Sequence, residues 1–174
     1  MPSTKQKIMT MTIQQIREVG YQQFSMRKLA KALGLSATAI YKHFEGKDAL
    51  FKQATIELSA QFVQGLSLNR NRSPEDQLLQ IAQQLCDQFQ LEPNLMSFLF
   101  FNPQAINIMR HPVQDFSFLN LVRQIVHEAN HGNCSDEHLL IKLWSFIQGY
   151  TSLIINHIIE YDPVLVAAAL TELN

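Results

Sequence analysis

Apolar residues return every three or four positions along nearly the whole chain, and strand-like alternation bounded by turns is missing. That period predicts an all-α protein of about nine to ten helices. The first helix runs over Thr4–Val19, with Met9, Ile13, Ile16 and Gly20 along one face. Two short segments follow, Met26–Leu33 and Ala37–Phe44, each with an inward pair at i, i+4: Leu29 with Leu33, and Ile40 with Phe44. A longer helix spans residues 47–68, with Phe51, Ala54, Leu58, Phe62 and Leu66 inward. Prolines then mark helix starts. Ser73-Pro74, Asn102-Pro103 and Asp162-Pro163 each set a capping side chain ahead of a first-turn proline, whose missing N–H would have had no helical partner. Glu92-Pro93 and His111-Pro112 are weaker versions. The remaining predicted helices are therefore 74–91, 93–101, 103–109, 112–131, 136–160 and 163–173.

The two short segments carry the sharpest information. Ser25 can cap the first and Ser36 the second, and Gly34 supplies the positive-φ residue between them. With the apolar pairs turned inward, Arg27, Lys28, Lys31, Lys42 and His43 are left outside. Two short helices joined by a tight turn, the second free to enter a major groove, form a helix-turn-helix. Charge distribution agrees. Residues 1–52 carry nine Lys or Arg against three acids, net +6; residues 53–174 carry five against twelve, net −7, and the two sum to the chain's −1. A basic head on an acidic body points to a polyanion at one end only.

The string Gly34-Leu35-Ser36, then Ile40-Tyr41-Lys42-His43-Phe44 and Lys47, follows Val19-Gly20 and Met26-Arg27-Lys28-Leu29-Ala30. Over residues 8–52 it resembles the DNA-binding domain of the tetracycline-repressor (TetR) family of bacterial transcription regulators. The resemblance implies a three-helix head at 1–46 and a helical regulatory and dimerisation domain at 47–174, connected by the helix over 47–68. It implies a sequence-specific repressor that binds a palindromic operator in double-stranded DNA as a homodimer and is released by a small apolar inducer of unknown identity. The base readers it implies are Arg27, Ala37, Thr38, Ala39 and Lys42. Arg27 can bond guanine bidentately, while Ala37, Ala39 and the Thr38 methyl can meet thymine methyls.

The residue types add the backbone contacts. Tyr41 and His43 can donate to phosphate oxygens, and Lys47 stands at a helix start that favours anions. Ser25 and Ser36 are further donors where capping leaves them free. Partial burial as a core aromatic is the competing reading of Tyr41. Family members often carry larger polar residues where Ala37 and Ala39 stand, so the operator sequence is not legible here.

Beyond the head the likeness is to a general plan. The segment 139–159 is apolar nearly all round and must be buried on more than one face. The last segment, with Ala167-Ala168-Ala169, permits close backbone approach. The two read as a dimer interface, a four-helix bundle across a two-fold axis formed by Leu143, Ile147, Tyr150, Ile154, Val164 and Ala168. A monomer core would give the same pattern. Phe98, Phe101, Met109, Phe116 and Trp144, with polar His111 and Gln148, read as a ligand pocket. An aromatic stripe also serves as plain core, and periodicity does not separate the two.

His127, His131, Cys134 and His138 make a metal site sterically possible, but the tight Cys/His pairing of structural zinc sites is missing. The simpler reading is that His127 and His131 complement a negative helix end. No metal or other cofactor is expected. No Gly-rich phosphate loop, Gly-x-Ser-x-Gly elbow or paired acidic metal motif occurs, which argues against an enzyme. No run of about 18 uncharged apolar residues is present, so no membrane span is expected. Cys86 and Cys134 lie far apart, and with a polar N-terminus lacking a leader pattern they fit a cytoplasmic protein. The alternative function is a helical ligand- or partner-binding protein without a strong operator, which the small side chains of Ala37 and Ala39 leave open.

Overall fold

A computed structural model describes residues 2–111 and 116–173, and all regular structure among them is helical. In chain order the helices are α1 (Thr4–Val19), α2 (Met26–Ala32), α3 (Ala37–Tyr41), α4 (Lys47–Gly65), α5 (Pro74–Leu91), α6 (Pro93–Phe101), α7 (Pro103–Arg110), α8 (Ser117–Ala129), α9 (Asp136–Ile155) and α10 (Pro163–Leu173). The starts follow capping chemistry. At α1, Gln6 N–H donates to Ser3 Oγ at 3.2 Å and Gln6 Oε1 accepts from Ser3 N–H at 2.7 Å, a reciprocal pair. Ahead of α5, α7 and α10, the side chains of Ser73, Asn102 and Asp162 accept backbone N–H groups of the first turn. Glu92 gives α6 no side-chain cap and instead meets Arg17 at 3.2 Å. The helix expected over 112–131 is observed as α8; its first expected residues, 112–115, lie outside the described residues.

Several helices stop earlier than the apolar pattern suggests, for reasons that lie elsewhere in the chain. The pattern carries α4 to residue 68, but the helix ends at Gly65, where Ser67 and Asn69 give their N–H groups to the side chains of Gln84 and Gln80 on α5. It carries α9 to residue 160, but that helix ends at Ile155. Beyond it Asp162 N–H donates to the Tyr150 hydroxyl at 2.6 Å, and that hydroxyl donates to the Glu160 carbonyl, folding the chain back. The buried face of α1 is Ile8, Thr12, Ile13 and Ile16, with Met9 half-buried, because α1 packs on both α2 and α6. On α4, Leu50, Phe51, Ala54, Thr55, Leu58 and Ser59 are buried, whereas Phe62 and Leu66 are half-buried.

The chain divides into two compact units. The first, Met1–Gln61 with Glu92–Phe116, contains α1–α3, most of α4, α6 and α7. At its centre Phe51 meets Phe24 and Phe98 edge-on, each with ring centroids 5.0 Å apart. Polar bonds tie α6 to α1 and the turn after it: Asn94 Nδ2 donates to the Arg17 carbonyl at 2.9 Å, and Tyr21 OH donates to the Phe101 carbonyl at 3.2 Å. Asn102, fully buried between α6 and α7, donates to Thr55 Oγ1 on α4 and to the Phe98 carbonyl.

The second unit, Phe62–Leu91 with Ser117–Asn174, contains α5 and α8–α10, with α5 against the other three. Leu85, Cys86, Ile125, Leu139 and Val166 lie in its core. Burial pushes the Cys86 thiol up to about 12, with Asp87 adding to it. Tyr161 is likewise pushed up to about 12, mainly by burial. No helix among the described residues is long and apolar enough to cross a membrane.

Candidate nucleic-acid interface

The helix-turn-helix is built from local hydrogen bonds that its sequence dictates. Lys28 N–H donates to Ser25 Oγ at 3.3 Å, starting α2. Gly34, at φ 64°, ends it. Leu35 N–H reaches the Ala30 carbonyl at 2.9 Å and Gly34 N–H the Lys31 carbonyl at 3.1 Å, the paired bonds of a Schellman end. Ala39 N–H then donates to Ser36 Oγ at 3.1 Å and starts α3. Both serines therefore serve as caps through their lone pairs. Each hydroxyl keeps a proton to donate.

Beneath the turn, Leu29, Ile40 and Phe44 are buried. They fix which side of α3 faces out: Ala37, Thr38, Tyr41, Lys42 and His43 are exposed and Ala39 is half-buried. Arg27 is exposed on α2, Ser36 is exposed and Ser25 half-buried. Tyr41, whose alternative was a core role, is 51% exposed. Helix α3 is shorter than expected. It ends at Tyr41, so Lys42 and His43 sit in the following turn, where His43 and Phe44 N–H groups both converge on the Ile40 carbonyl. This tightening carries Phe44 inward and brings the chain through Gly46 (φ 142°) to the start of α4 at Lys47.

Two lysines on this unit rest on aromatic rings. Lys47 Nζ is 4.9 Å from the Phe51 centroid and 5.6 Å from that of Phe24. Lys5 Nζ is 5.6 Å from the Phe44 centroid. Lys5 lies in the first turn of α1, which the reciprocal Ser3–Gln6 pair caps. The Ser-x-x-Gln spacing is the sequence signal for this.

The expected pocket residues divide between the units. Phe98 and Phe116 are buried in the first, with Met109 half-buried and Phe101 and His111 exposed. Phe98 packs on Phe51 and Tyr21 as core. Trp144 and Gln148 are half-buried in the second unit, where Trp144 lies beside Phe118. A wholly apolar cavity of about 40 Å³ there is lined by Ile81, Leu85, Phe118, Trp144 and Ile147 among others. A second, of about 240 Å³, has Leu139, Leu143 and Leu170 as walls and Glu75, Asp76 and His131 near them.

Of the expected dimer residues, Leu143, Ile147, Tyr150 and Ile154 are buried within the protomer, whereas Val164 (75% exposed) and Ala168 face outward. The outward apolar positions on and beside these two helices also include Ile141, Leu153, Ile158 and Leu165. Two histidines of the candidate metal constellation face carboxylates. His127 Nδ1 is 2.7 Å from Asp136 and His131 Nε2 is 3.3 Å from Glu75. Hydrogen bonds from Asn130 and then His127 hold the Asp136 carboxyl below its ordinary value. Among the described residues, no group of three or more His, Cys, Asp or Glu is placed to hold a metal ion.

Residues 8–54 match the family described as bacterial regulatory proteins, tetR family. No curated protein matches the chain. Among solved structures, the chain is similar to the fatty acid degradation regulator FadR from Bacillus halodurans, with a TM-score of 0.72, 18% identity, and 99% of this chain and 95% of that one covered. It is also similar to a TetR transcriptional regulator from a Rhodococcus species, with a TM-score of 0.66, 17% identity and coverages of 96% and 95%. A TetR-family regulator from Marinobacter aquaeolei gives a TM-score of 0.64, 20% identity and coverages of 97% and 92%. At these identities the structures share the fold.

Proposed function

The chain belongs to the TetR family of bacterial transcription regulators and carries that family's DNA-binding head, and from that premise we propose that it is a homodimeric repressor of a palindromic operator, released by a small apolar ligand. The observation that carries the DNA reading is the outward face of α3, fixed by buried Ile40 and Phe44 and flanked by basic residues. Arg27, Ala37, Thr38 and Lys42 are assigned to base edges, with half-buried Ala39 at the margin. Tyr41, His43 and Lys47 are assigned to phosphates, joined by the hydroxyl protons of Ser25 and Ser36. Functionally, residues 1–46 read DNA and residues 47–174 regulate and dimerise, and the regulator works in the cytoplasm.

Dimerisation is assigned to the outward faces of α9 and α10. Val164, Leu165 and Leu153 are large apolar side chains left exposed on these two helices, the residue type a partner surface would cover. The inducer is assigned to the second unit, beside Trp144. The apolar cavity there holds about 40 Å³, whereas drug-sized ligands fill about 300 Å³ or more, so binding requires the helices around it to part. A ligand that prefers a parted form whose two heads no longer match the operator spacing lowers operator affinity, and operator must lower ligand affinity by the same factor.

The test of the DNA assignment is salt dependence. Lys47→Ala or Tyr41→Phe should weaken binding to every duplex sequence, and Lys47→Ala should flatten the slope of log affinity against log salt by about 0.9 for each phosphate it no longer neutralises. Arg27→Ala should instead change base preference. Unchanged affinity and slope in both phosphate variants would defeat the assignment. Because the chain contains one tryptophan, Trp144, its fluorescence reports ligand entry directly during a screen of apolar compounds. A compound that shifts this emission yet leaves DNA affinity untouched would argue against release by ligand.

A further inference from the structure

The head's helix α4 opens on a lysine whose ammonium lies over two aromatic rings, 4.9 Å from Phe51 and 5.6 Å from Phe24. Both distances fall within the range in which a cation is drawn to the face of a ring. The rings themselves cannot easily turn away. Phe24 and Phe51 are 6% and 3% exposed, they meet each other edge-on, and Phe51 is backed on α6 by fully buried Phe98 at an interplanar angle of 83°. The lysine side chain, by contrast, is exposed, and its flexible stem would otherwise sample many rotamers. Binding a phosphate with a free lysine costs the entropy of ordering that stem.

We infer that Phe24 and Phe51 are positioning residues that hold the Lys47 ammonium ready for a DNA phosphate, so that part of the head's affinity comes from aromatic residues that never touch DNA. The inference rests on the assignment of Lys47 to a phosphate. An ammonium has three N–H groups, so one side can face the rings while another donates outward. The attraction comes from the ring quadrupole, and removing electron density from the ring therefore weakens it without removing the ring's bulk.

The experiment places phenylalanine, then its mono-, di- and pentafluoro analogues, at position 51 of the full chain, with and without Lys47→Ala. The probe is a mixed-sequence DNA duplex, since a phosphate contact does not need the operator. With Lys47 present, Kd should rise stepwise with fluorination, reaching about two- to fivefold per head, the range expected of an exposed cation–π contact. With Lys47→Ala the trend should vanish. A flat series with Lys47 present, or the same trend in both backgrounds, overturns the inference, because a merely structural role of Phe51 would not depend on Lys47. If Lys47→Ala itself leaves duplex affinity unchanged, the phosphate assignment fails first and the positioning role fails with it. In the free protein, the Lys47 ε-methylene protons should show an upfield ring-current shift, and ordinary chemical shifts there would also overturn the inference.

Discussion

Replacing Asn102 by Ala should be among the most damaging single changes in the first unit. Asn102 is fully buried and uses both ends of its amide. Its Oδ1 accepts from Gln104 N–H at 2.8 Å and Ala105 N–H at 3.2 Å, capping α7, while Nδ2 donates to Thr55 Oγ1 at 3.0 Å and to the Phe98 carbonyl. Loss of the cap costs about 1 kcal/mol. Leaving the buried Thr55 hydroxyl and Phe98 carbonyl without this donor costs about 1–3 kcal/mol more. Together the expected loss is about 2–4 kcal/mol. At a urea m value of about 2 kcal/mol/M, the unfolding midpoint should fall by about 1–2 M. Urea unfolding followed by helical circular dichroism reads it. Thr55→Val should cost less on its own and almost nothing further in the Asn102→Ala background, since its partner is then already gone. A midpoint shift under about 0.3 M, or fully additive losses, would refute the claim that this buried bond joins α4 to the α6–α7 corner.

Gly20 ends α1 at φ 75°, and a Cβ there would lie 3.2 Å from Gln22 Oε1 and 3.3 Å from Asn94 Oδ1, so Gly20→Ala should lower stability by about 1–2 kcal/mol in the same assay. Cys86 should make stability fall in alkali: its folded thiol is pushed up to about 12 from an ordinary 9.0, so the unfolded chain loses its proton first and the native state is disfavoured as pH rises from about 9 towards 12. The slope approaches about 1.4 kcal/mol per pH unit, Tyr161 adds in the same direction above its own ordinary range, and Cys86→Ala should remove the thiol's share of the fall. Val164→Glu should leave the protomer's own stability intact, because Val164 is exposed, yet should shift sedimentation from dimer to monomer by placing an unpaired charge in the interface; an intact dimer would move the interface off α10.

Helix starts are more legible in this sequence than helix ends. Pro74, Pro93, Pro103 and Pro163 begin helices where the local rule puts them, because a start is decided within a few residues by a first-turn proline, with a side-chain cap ahead of it at three of the four. Ends depend on distant partners. α4 stops where the glutamines of α5 take its following N–H groups, and α9 where the Tyr150 hydroxyl takes that of Asp162. The head's motif is readable because its caps, its glycine and its inward pairs lie within one short stretch. The attachment of residues 92–116 to the same compact unit is not, because it rests on pairings such as Asn102 with Thr55 and Arg17 with Glu92, which no periodicity reports. The aromatic seat of Lys47 is hidden for the same reason: Phe24 and Phe51 read only as core. The pattern marks Leu143, Ile147, Tyr150 and Ile154 as buried without saying whether a partner or the protomer buries them, and the protomer does.

The most direct test of a two-headed, sequence-specific regulator is enrichment of random duplexes on the full chain, with the stoichiometry of the enriched complex then measured. A palindromic site is expected, with half-site centres about 34–36 Å apart, or a multiple of that, bound by a protein dimer. Recovery of no preferred sequence, or of an asymmetric site bound by a single protomer, would contradict it.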